Sequence, residues 1–195
     1  MPSENTENAS LRPQDIKDDH YVKIGITDHD GVLRGKYISG KKFQSALKNE
    51  ASFCDVILGW DRDDQTIDAL ILTGWHTGFP DAPIKLLPET LRILPHENNV
   101  PFCLASFSDK YIPFCPRAIL SSVCDKAESM GFSVLTGMEF EFSVFKETPT
   151  SVREKNYQEL TPMAPGSHSY SLLRTSVGHD FYHQIIDTAN AMDIP

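Results

Sequence analysis

The sequence predicts an α+β fold in which a small sheet unit precedes a helix–strand–helix segment. Residues 21–38 contain two alternating apolar segments around the turn residues DHDG, a pattern typical of a β-hairpin. Residues 116–130 instead carry apolar side chains at helical spacing, with Pro116 in the first turn and Gly131 just beyond the end. Hairpin-type strands followed by separate helices indicate the α+β class.

The N-terminal unit is predicted to continue from the hairpin into a short helix and further strands. Either Ser39 or Gly40 can cap a helix through KKFQSALKNE. Residues 67–72, IDALIL, suggest an extended segment. TLRILPHE and VPFCLASFSD predict two more strands, joined by a turn around Asn98.

These elements divide the chain into three parts. We expect a disordered polar tail over residues 1–19, a first domain over residues 20–109 and a second region over residues 110–195. The second region is predicted to contain the helix after Pro116, a strand over residues 132–145, a long loop and a final helix at FYHQIIDTANAM. Because no closing element follows this helix, we expect the chain to be a fragment.

Composition excludes several classes of protein. The net charge of −9 and the lack of basic clusters disfavour a nucleic-acid surface, and no apolar run reaches the length that spans a bilayer. The N-terminus lacks the pattern of a signal peptide, so we expect a cytoplasmic protein without a membrane partner. The cysteines, which lack any CxxC spacing, are predicted to be reduced and structural: Cys54, Cys103, Cys115 and Cys124.

The stretch GMEFEFSVF places Glu139 and Glu141 two positions apart among apolar residues. In a strand both carboxylates would lie on one face, roughly 7 Å apart. Two partly buried like charges favour either protonation of one of them or a shared cation. A divalent metal site is the more specific interpretation, and an ordinary solvated sheet face is the alternative.

Two other metal-like motifs are better explained without a metal. DHDG resembles the start of a calcium loop, but the further acidic ligands that such a loop needs are missing, so a hairpin turn is predicted. His179 and His183 lie one helical turn apart, as in the zinc motif HExxH, but Asp180 replaces the glutamate. We interpret them as two surface histidines.

The order of the motifs resembles the glutamine synthetase family. The chain carries the DHDGVLRGK hairpin, the segment TGFPDAPIKLLPETLRILPHE, a helix opening at CPRAIL and the GMEFEF strand, followed by PGSHSYSLLR. The likeness is greatest to the glutamine-synthetase-like branch with γ-glutamylpolyamine synthetases, FluG proteins and lengsin. The resemblance implies a β-grasp-like N-terminal domain followed by the incomplete start of a catalytic α/β domain.

The resemblance also implies a chemistry. Glu139 would hold a metal near the ATP phosphates and Glu141 a metal near the glutamate substrate, with Mg²⁺ or Mn²⁺ suited to the oxygen ligands. ATP, as co-substrate, would give γ-glutamyl phosphate, and an amine would then displace phosphate. The family further implies a homo-oligomer of stacked rings in which the N-terminal domain completes a neighbour's active site.

The stretch CDVILGWD departs from the family, because glutamine synthetase proper has Asp-Gly-Ser-Ser at this place. Here Asp55 and Asp61 are candidate catalytic residues that could pair with a substrate cation, and Val56, Ile57, Leu58 and Trp60 surround them. An organic amine is therefore as plausible a substrate as ammonia. The alternative is that this run is simply a buried core strand.

Two functions remain open at this stage. The chain is either the N-terminal portion of an ATP-dependent glutamate–ammonia or glutamate–amine ligase, inactive by itself, or a non-catalytic family member or inactive fragment with a role in assembly. The paired carboxylates favour the ligase, because a purely structural strand has no need for them.

Overall fold

A computed structural model describes residues 11–49, 51–164, 166 and 170–194. It contains a mixed sheet with helices and divides into two compact units. The first unit extends to Val134 and includes Ala191–Asp193, whereas the second is formed by Leu135–Asn190 with the last two residues. Residues 1–10 of the predicted disordered tail lie outside the described residues. Residues 11–19 are ordered instead: they contain a 3-10 helix, Pro13–Asp15, and Ile16 is buried in the core.

The sheet of the first unit has five strands in the order β2-β1-β5-β4-β3. β1 and β5 are parallel, and the other neighbours are antiparallel. The strands are β1 Tyr21–Thr27, β2 Leu33–Ser39, β3 Ala51–Cys54, β4 Asp81–Leu94 and β5 Val100–Phe107. The helices are α1 Gly40–Lys48, α2 Pro116–Ser129, α3 Pro149–Glu154, α4 Leu172–Thr175 and α5 His179–Ala191.

The predicted hairpin and the helix after it are both confirmed. β1 and β2 pair in register from Tyr21 opposite Ser39 to Thr27 opposite Leu33. Ser39 is the N-cap of α1, because its hydroxyl accepts a hydrogen bond from the backbone N–H of Lys42 at 3.2 Å.

One hydrophobic core lies between α1 and the sheet. α1 packs against β1, β2 and β4, and Phe43 on its inner face is fully buried. Alternating residues of the strands complete this core: Val22, Ile24, Ile26, Ile84, Leu86, Cys103, Ala105 and Phe107.

The two strands predicted on either side of Asn98 are confirmed, although β4 begins nine residues before TLRILPHE, at Asp81. Its pairing with β5 shifts between Leu87 and Arg92, which allows Pro88 to stand in a strand. Asn98 and Asn99 both have positive φ, at 54° and 60°, as expected for turn asparagines.

The strand predicted at residues 67–72 is wrong. The segment is irregular, and Ile67 and Ile71 are exposed instead of turning toward the core. The N–H of Ile67 donates to the carbonyl of Gly59 at 2.8 Å, so this segment joins a 3-10 helix, Asp55–Gly59, and not the sheet.

The helix after Pro116 is confirmed as α2, and Gly131 follows it with a φ of 85°. Its apolar stripe does not face a core, however, since Ile119, Leu120 and Val123 are all exposed.

The strand predicted over residues 132–145 is not formed. Among the described residues the segment makes only an isolated bridge between Phe145 and Pro162. A strand needs a neighbour for its backbone hydrogen bonds, which alternation in the sequence alone does not supply.

The α-helices of the second unit are α3, α4 and α5. α5 confirms the predicted final helix and begins two residues before it. The short helix α3 was not predicted; Thr148 and Ser151 form a capping box at its start, each side chain accepting from the other's backbone N–H. No helix in the described part of the chain is long and apolar enough to cross a membrane.

The close pairing of β1 and β2 predicts a sharp sensitivity at Gly35. A methyl group there would overlap the carbonyl oxygen of Ile24, which belongs to the backbone and has little freedom to move. We expect Gly35→Ala to lower the free energy of unfolding by about 1–3 kcal/mol, as overpacking does. Gly137→Ala is the control, because a methyl group there meets no atom within 4 Å. Urea unfolding followed by circular dichroism gives the comparison, and equal effects of both changes would contradict it.

Candidate functional site

The side chain of Asp28 stabilises the hairpin turn by accepting hydrogen bonds from its backbone. Its carboxylate is fully buried, and Oδ1 accepts from the N–H groups of Asp30 at 3.0 Å and Val32 at 2.8 Å. Gly31 takes a φ of 78° in the same turn. The prediction of a turn at DHDG is therefore confirmed.

Arg34 on β2 links Asp28 to a second turn, residues 60–66. Its Nε donates to Oδ2 of Asp28 at 2.7 Å, and a terminal nitrogen donates to the carbonyl of Asp61 at 3.1 Å. The other terminal nitrogen pairs with Asp64. The hydrogen bonds to the Asp28 and Asp64 carboxylates raise the pKa of Arg34 above its ordinary value, so the guanidinium stays charged.

Asp55 is fully buried at the start of the 3-10 helix after β3. Oδ1 accepts from the hydroxyl of Thr73 at 2.7 Å, and Oδ2 accepts from that of Tyr111 at 3.1 Å. Burial raises the pKa of Tyr111, and the hydrogen bond to Asp55 raises it further, so the phenol remains a donor. Asp55 thus occupies a closed network and has no contact with solvent.

Asp61 lies in the turn that Arg34 holds and is partly exposed. Its Oδ1 accepts from the N–H groups of Asp63 and Gln65, each at 2.9 Å. No described residue donates a hydrogen bond to its Oδ2.

The apolar residues around these aspartates are mostly unavailable to a ligand. Ile57 and Leu58 belong to the core, and Val56 packs against it. Trp60 is half-buried, and the guanidinium carbon of Arg34 lies 5.5 Å from its ring centroid. The run is therefore buried, as one alternative held, but it forms a 3-10 helix and not a strand. The roles predicted for Asp55 and Asp61 stay predictions.

Glu139 and Glu141 lie in the unpaired segment of the second unit, and both are exposed. Phe140 and Phe142, which flank Glu141, are also exposed, so the expected division into an apolar and an acidic strand face is not formed. Within the described residues, no group of three or more His, Cys, Asp or Glu side chains could hold a metal ion. The two glutamates therefore remain predicted ligands without a third protein ligand beside them.

The two histidines of HDFYH lie one turn apart at the start of α5. Their ring centroids are 5.7 Å apart, and His179 contacts the carboxylate of Asp180 at 3.0 Å. His179 is largely exposed, and no third candidate ligand joins the pair among the residues described.

A cleft of about 370 Å³ adjoins the segment that carries the glutamates. Residues Phe142–Phe145 line one part of it, and Tyr182 of α5 lines another. The aromatic rings of Phe142 and Phe181 lie 6.4 Å apart in an edge-to-face arrangement. The cleft is thus lined by aromatic residues together with polar ones, among them Arg174 and Thr175.

Among the acidic residues of the second unit, Glu147 has the most strongly shifted pKa. Its side chain accepts from Lys155 at 2.6 Å, from the Ser151 hydroxyl at 2.6 Å and from the backbone N–H of Thr161 at 2.8 Å. Lys155 contributes most, and together the three donors lower the pKa of Glu147 to about 2. This carboxylate ties α3 to the segment that follows it.

Sequence reasoning missed the partners of these acids more often than the acids themselves. Thr73 and Tyr111 lie 18 and 56 residues from Asp55, and no local pattern links them. Arg34 had a usable signal, because it follows the DHDG turn on a strand that pairs with β1. The pattern TPTS, with its Thr148–Ser151 spacing, could have predicted α3.

Comparison with known proteins relates the chain to the glutamine synthetase family. Residues 113–195 match the family model described as glutamine synthetase, catalytic domain. The resemblance to the glutamine synthetase family is thereby confirmed.

Individual relatives agree with this relationship. Type-1 glutamine synthetase 2 of Dictyostelium discoideum is 38% identical over 186 residues, which are 94% of this chain and 36% of that protein. A glutamate–isopropylamine ligase of a Pseudomonas species is 28% identical over 192 residues, covering 94% of this chain and 41% of that protein. The chain therefore spans about four tenths or less of the length of these relatives.

A solved structure described as a novel glutamine synthase homolog supports the fold. It superposes with a TM-score of 0.58 over 91% of this chain and 39% of its own, at 14% sequence identity. At this identity the similarity concerns the fold alone.

The Glu147 cluster predicts a pH dependence of stability. The carboxylate has its pKa lowered to about 2 in the folded chain, so its stabilising contribution is complete above the ordinary pKa near 4.5 and is lost as pH falls toward 2. We expect wild type to lose more stability between pH 5 and pH 2.5 than Glu147→Gln does. Urea unfolding measures this loss, with exposed Glu154→Gln as the control.

A carbon-13 NMR titration of the Glu147 carboxyl provides the direct check. A midpoint near 4.5, or the same acid sensitivity in Glu147→Gln as in wild type, would contradict this assignment.

Proposed function

We propose that this chain is the N-terminal portion of an ATP-dependent ligase that joins the γ-carboxylate of glutamate to ammonia or an organic amine. The observation that carries the proposal is the family match over residues 113–195, because this range includes the Glu139 and Glu141 pair. The match makes a solvated acidic surface a weaker explanation for the two glutamates. In the proposed reaction ATP phosphorylates the γ-carboxylate, and the amine then displaces phosphate.

The topology of the first unit supports a β-grasp-like N-terminal domain. Its opening hairpin is followed by α1, which packs on the sheet, and the first and last strands are parallel neighbours. We propose that residues 20–109 form this domain and that residues 110–195 are the N-terminal part of the catalytic α/β domain.

Glu139 and Glu141 fit a hard divalent cation as two of its ligands. Both carboxylates are exposed, and Mg²⁺ is commonly bound by one or two carboxylates while keeping several waters. Bound Mg²⁺ or Mn²⁺ would neutralise negative charge on the transferring phosphoryl group. Glu139 would hold the cation nearer the ATP phosphates, and Glu141 the cation nearer glutamate.

Assembly into a homo-oligomer of stacked rings, in the cytoplasm, is part of the same proposal. The exposed apolar stripe of α2, with Ile119, Leu120 and Val123, supports contact with further protein surface. In such a ring the N-terminal domain would complete the active site of a neighbouring subunit.

A non-catalytic role in assembly is the second candidate. The observation that favours it is the unpaired state of residues 133–144, which leaves the two glutamates without a rigid support. Ligase turnover distinguishes the two candidates, because only the enzyme depends on the carboxylates for more than its fold.

In a ligase that contains this segment, we expect Glu139→Gln and Glu141→Gln each to lower kcat at least 100-fold. The amide keeps the shape of the side chain but removes the charge, and lost metal stabilisation of the transition state is worth several kcal/mol. Phosphate release at saturating Mg²⁺ gives the rate, and circular dichroism monitors the fold. Glu128→Gln, an exposed change on α2, is the control. Wild-type turnover in either variant would remove the catalytic assignment.

The second functional proposal concerns the amine. Residues 55–61 lack the serines that glutamine synthetase proper has at this place, Trp60 is half-buried, and Oδ2 of Asp61 accepts no hydrogen bond from a described residue. The relative named for isopropylamine supports an organic substrate, whereas the one named as a glutamine synthetase supports ammonia. Asp55 is the weaker cation partner, because both of its carboxylate oxygens already accept hydrogen bonds from hydroxyl groups.

We expect an organic primary amine to give a higher kcat/KM than ammonium. Each buried methylene contributes about 0.8 kcal/mol, so a few carbons outweigh one lost hydrogen bond. The measurement is kcat/KM for ammonium and for a panel of monoamines and polyamines, with ATP and glutamate fixed. Ammonium giving the highest value across the panel would refute this preference.

A further inference from the structure

Arg34 makes more charged contacts than any other described residue of the β1–β2 hairpin. Its side chain is 13% exposed and binds three acceptors: the Asp28 carboxylate, the Asp61 carbonyl and the Asp64 carboxylate. Its guanidinium also lies over the ring of Trp60. Three of these four contacts belong to the turn at residues 60–66, and the fourth belongs to the hairpin.

The hairpin end of this link is fixed. Asp28 is fully buried, and two backbone N–H groups hold its other oxygen. Its remaining oxygen, Oδ2, accepts from Nε of Arg34 at 2.7 Å, so the arginine compensates the buried carboxylate. Arg34 is therefore held in place by Asp28 whatever the turn does.

The turn is a small closed unit. Trp60 bridges Thr66, and the N–H of Asp61 donates to the carbonyl of Gln65 at 3.0 Å. The Asp61 carboxylate caps the N–H groups of Asp63 and Gln65 from within. These internal bonds do not involve Arg34, and Trp60 also packs against the hydrophobic core. Loss of the link would therefore leave the turn closed but uncover the face of the Trp60 ring that the guanidinium covers.

Only arginine suits this role. Its planar fork donates in three directions and stacks on an aromatic ring, whereas lysine offers a single point charge. Lysine could still neutralise Asp28, but it could not also bind the Asp61 carbonyl and Asp64 while covering Trp60.

We propose that Arg34 is a positioning residue that fixes the turn at residues 60–66 against the hairpin and thereby places Trp60 and Asp61 for the amine substrate. This inference rests on the proposed function, in which Asp61 is the partner of the amine cation, and it adds Trp60 as the neighbouring apolar surface. Arg34 itself does not touch substrate. Its loss should weaken the use of amine and leave ATP and glutamate unaffected.

The first test measures the position of the turn in the 195-residue chain. Trp75→Phe leaves Trp60 as the only tryptophan, so acrylamide quenching reports its exposure. Arg34→Lys keeps a charge beside Asp28, and Asp64→Asn loosens the link without touching the buried pair. We expect Arg34→Lys to raise the quenching constant of Trp60 at least twofold and Asp64→Asn to raise it less. Asp63→Asn, the same charge change one residue away, should leave it unchanged.

The second test measures turnover in the ligase that contains this segment. We expect Arg34→Lys to raise the KM for amine about tenfold, while kcat and the KM values for ATP and glutamate stay within twofold. A general loss of structure would instead change all of these together with the unfolding midpoint. Unchanged quenching in Arg34→Lys, or changed quenching with an unchanged amine KM, would overturn the inference. Absence of turnover in wild type would refute the proposed function and the amine role, but the quenching result would still decide whether Arg34 fixes the turn.

Discussion

The first unit depends on a carboxylate that has been removed from water. Asp55 joins the 3-10 helix after β3, the loop at Thr73 and the 3-10 helix at Tyr111, three segments that the sheet itself does not connect. A buried carboxylate is tolerable only when its oxygens accept hydrogen bonds, so these segments can close over the core only in this arrangement. Asp55 therefore links three irregular segments of the unit through two side-chain hydrogen bonds.

Arg34 holds a different part of the same irregular region, the turn at residues 60–66. Asp55 is the first residue of a five-residue 3-10 helix, Asp55–Gly59, and Asp61 lies two residues after its end. One of them faces inward to two hydroxyls, whereas the other lies in an acidic turn that arginine holds from outside. The same residue type thus serves as a buried anchor and as a partly exposed group within a short stretch.

Local signals in the sequence predicted the elements that need only their neighbours in the chain. The DHDG hairpin, the Ser39 cap, the Pro116 helix and the final helix are all present, because turn chemistry, capping and helical spacing act over a few residues. The strands predicted at residues 67–72 and 132–145 are absent, because a strand also requires a partner that its own sequence does not specify.

For the candidate site, too, only part could be predicted from the sequence. The family relationship could be recognised from the ordered motifs. The spacing of Glu139 and Glu141 marked them as candidate ligands, and their metal roles, taken from the resemblance, stay predictions. The partners of Asp55 could not be predicted, since they depend on how distant segments meet in the core. The network at Glu147 escaped notice because Lys155 and Thr161 are separated from it by a helix that was not expected.

Gly25 on β1 pairs with Gly35 on β2, and this pairing limits which substitutions the two positions can accept during evolution. A methyl group on Gly25 would meet the side chains of Leu33 and Phe102, and one on Gly35 would meet backbone. The first position can accommodate alanine if its flexible neighbours change with it, whereas the second has no such compensation. During divergence we expect Gly25 to vary together with residues 33 and 102, while Gly35 remains invariant.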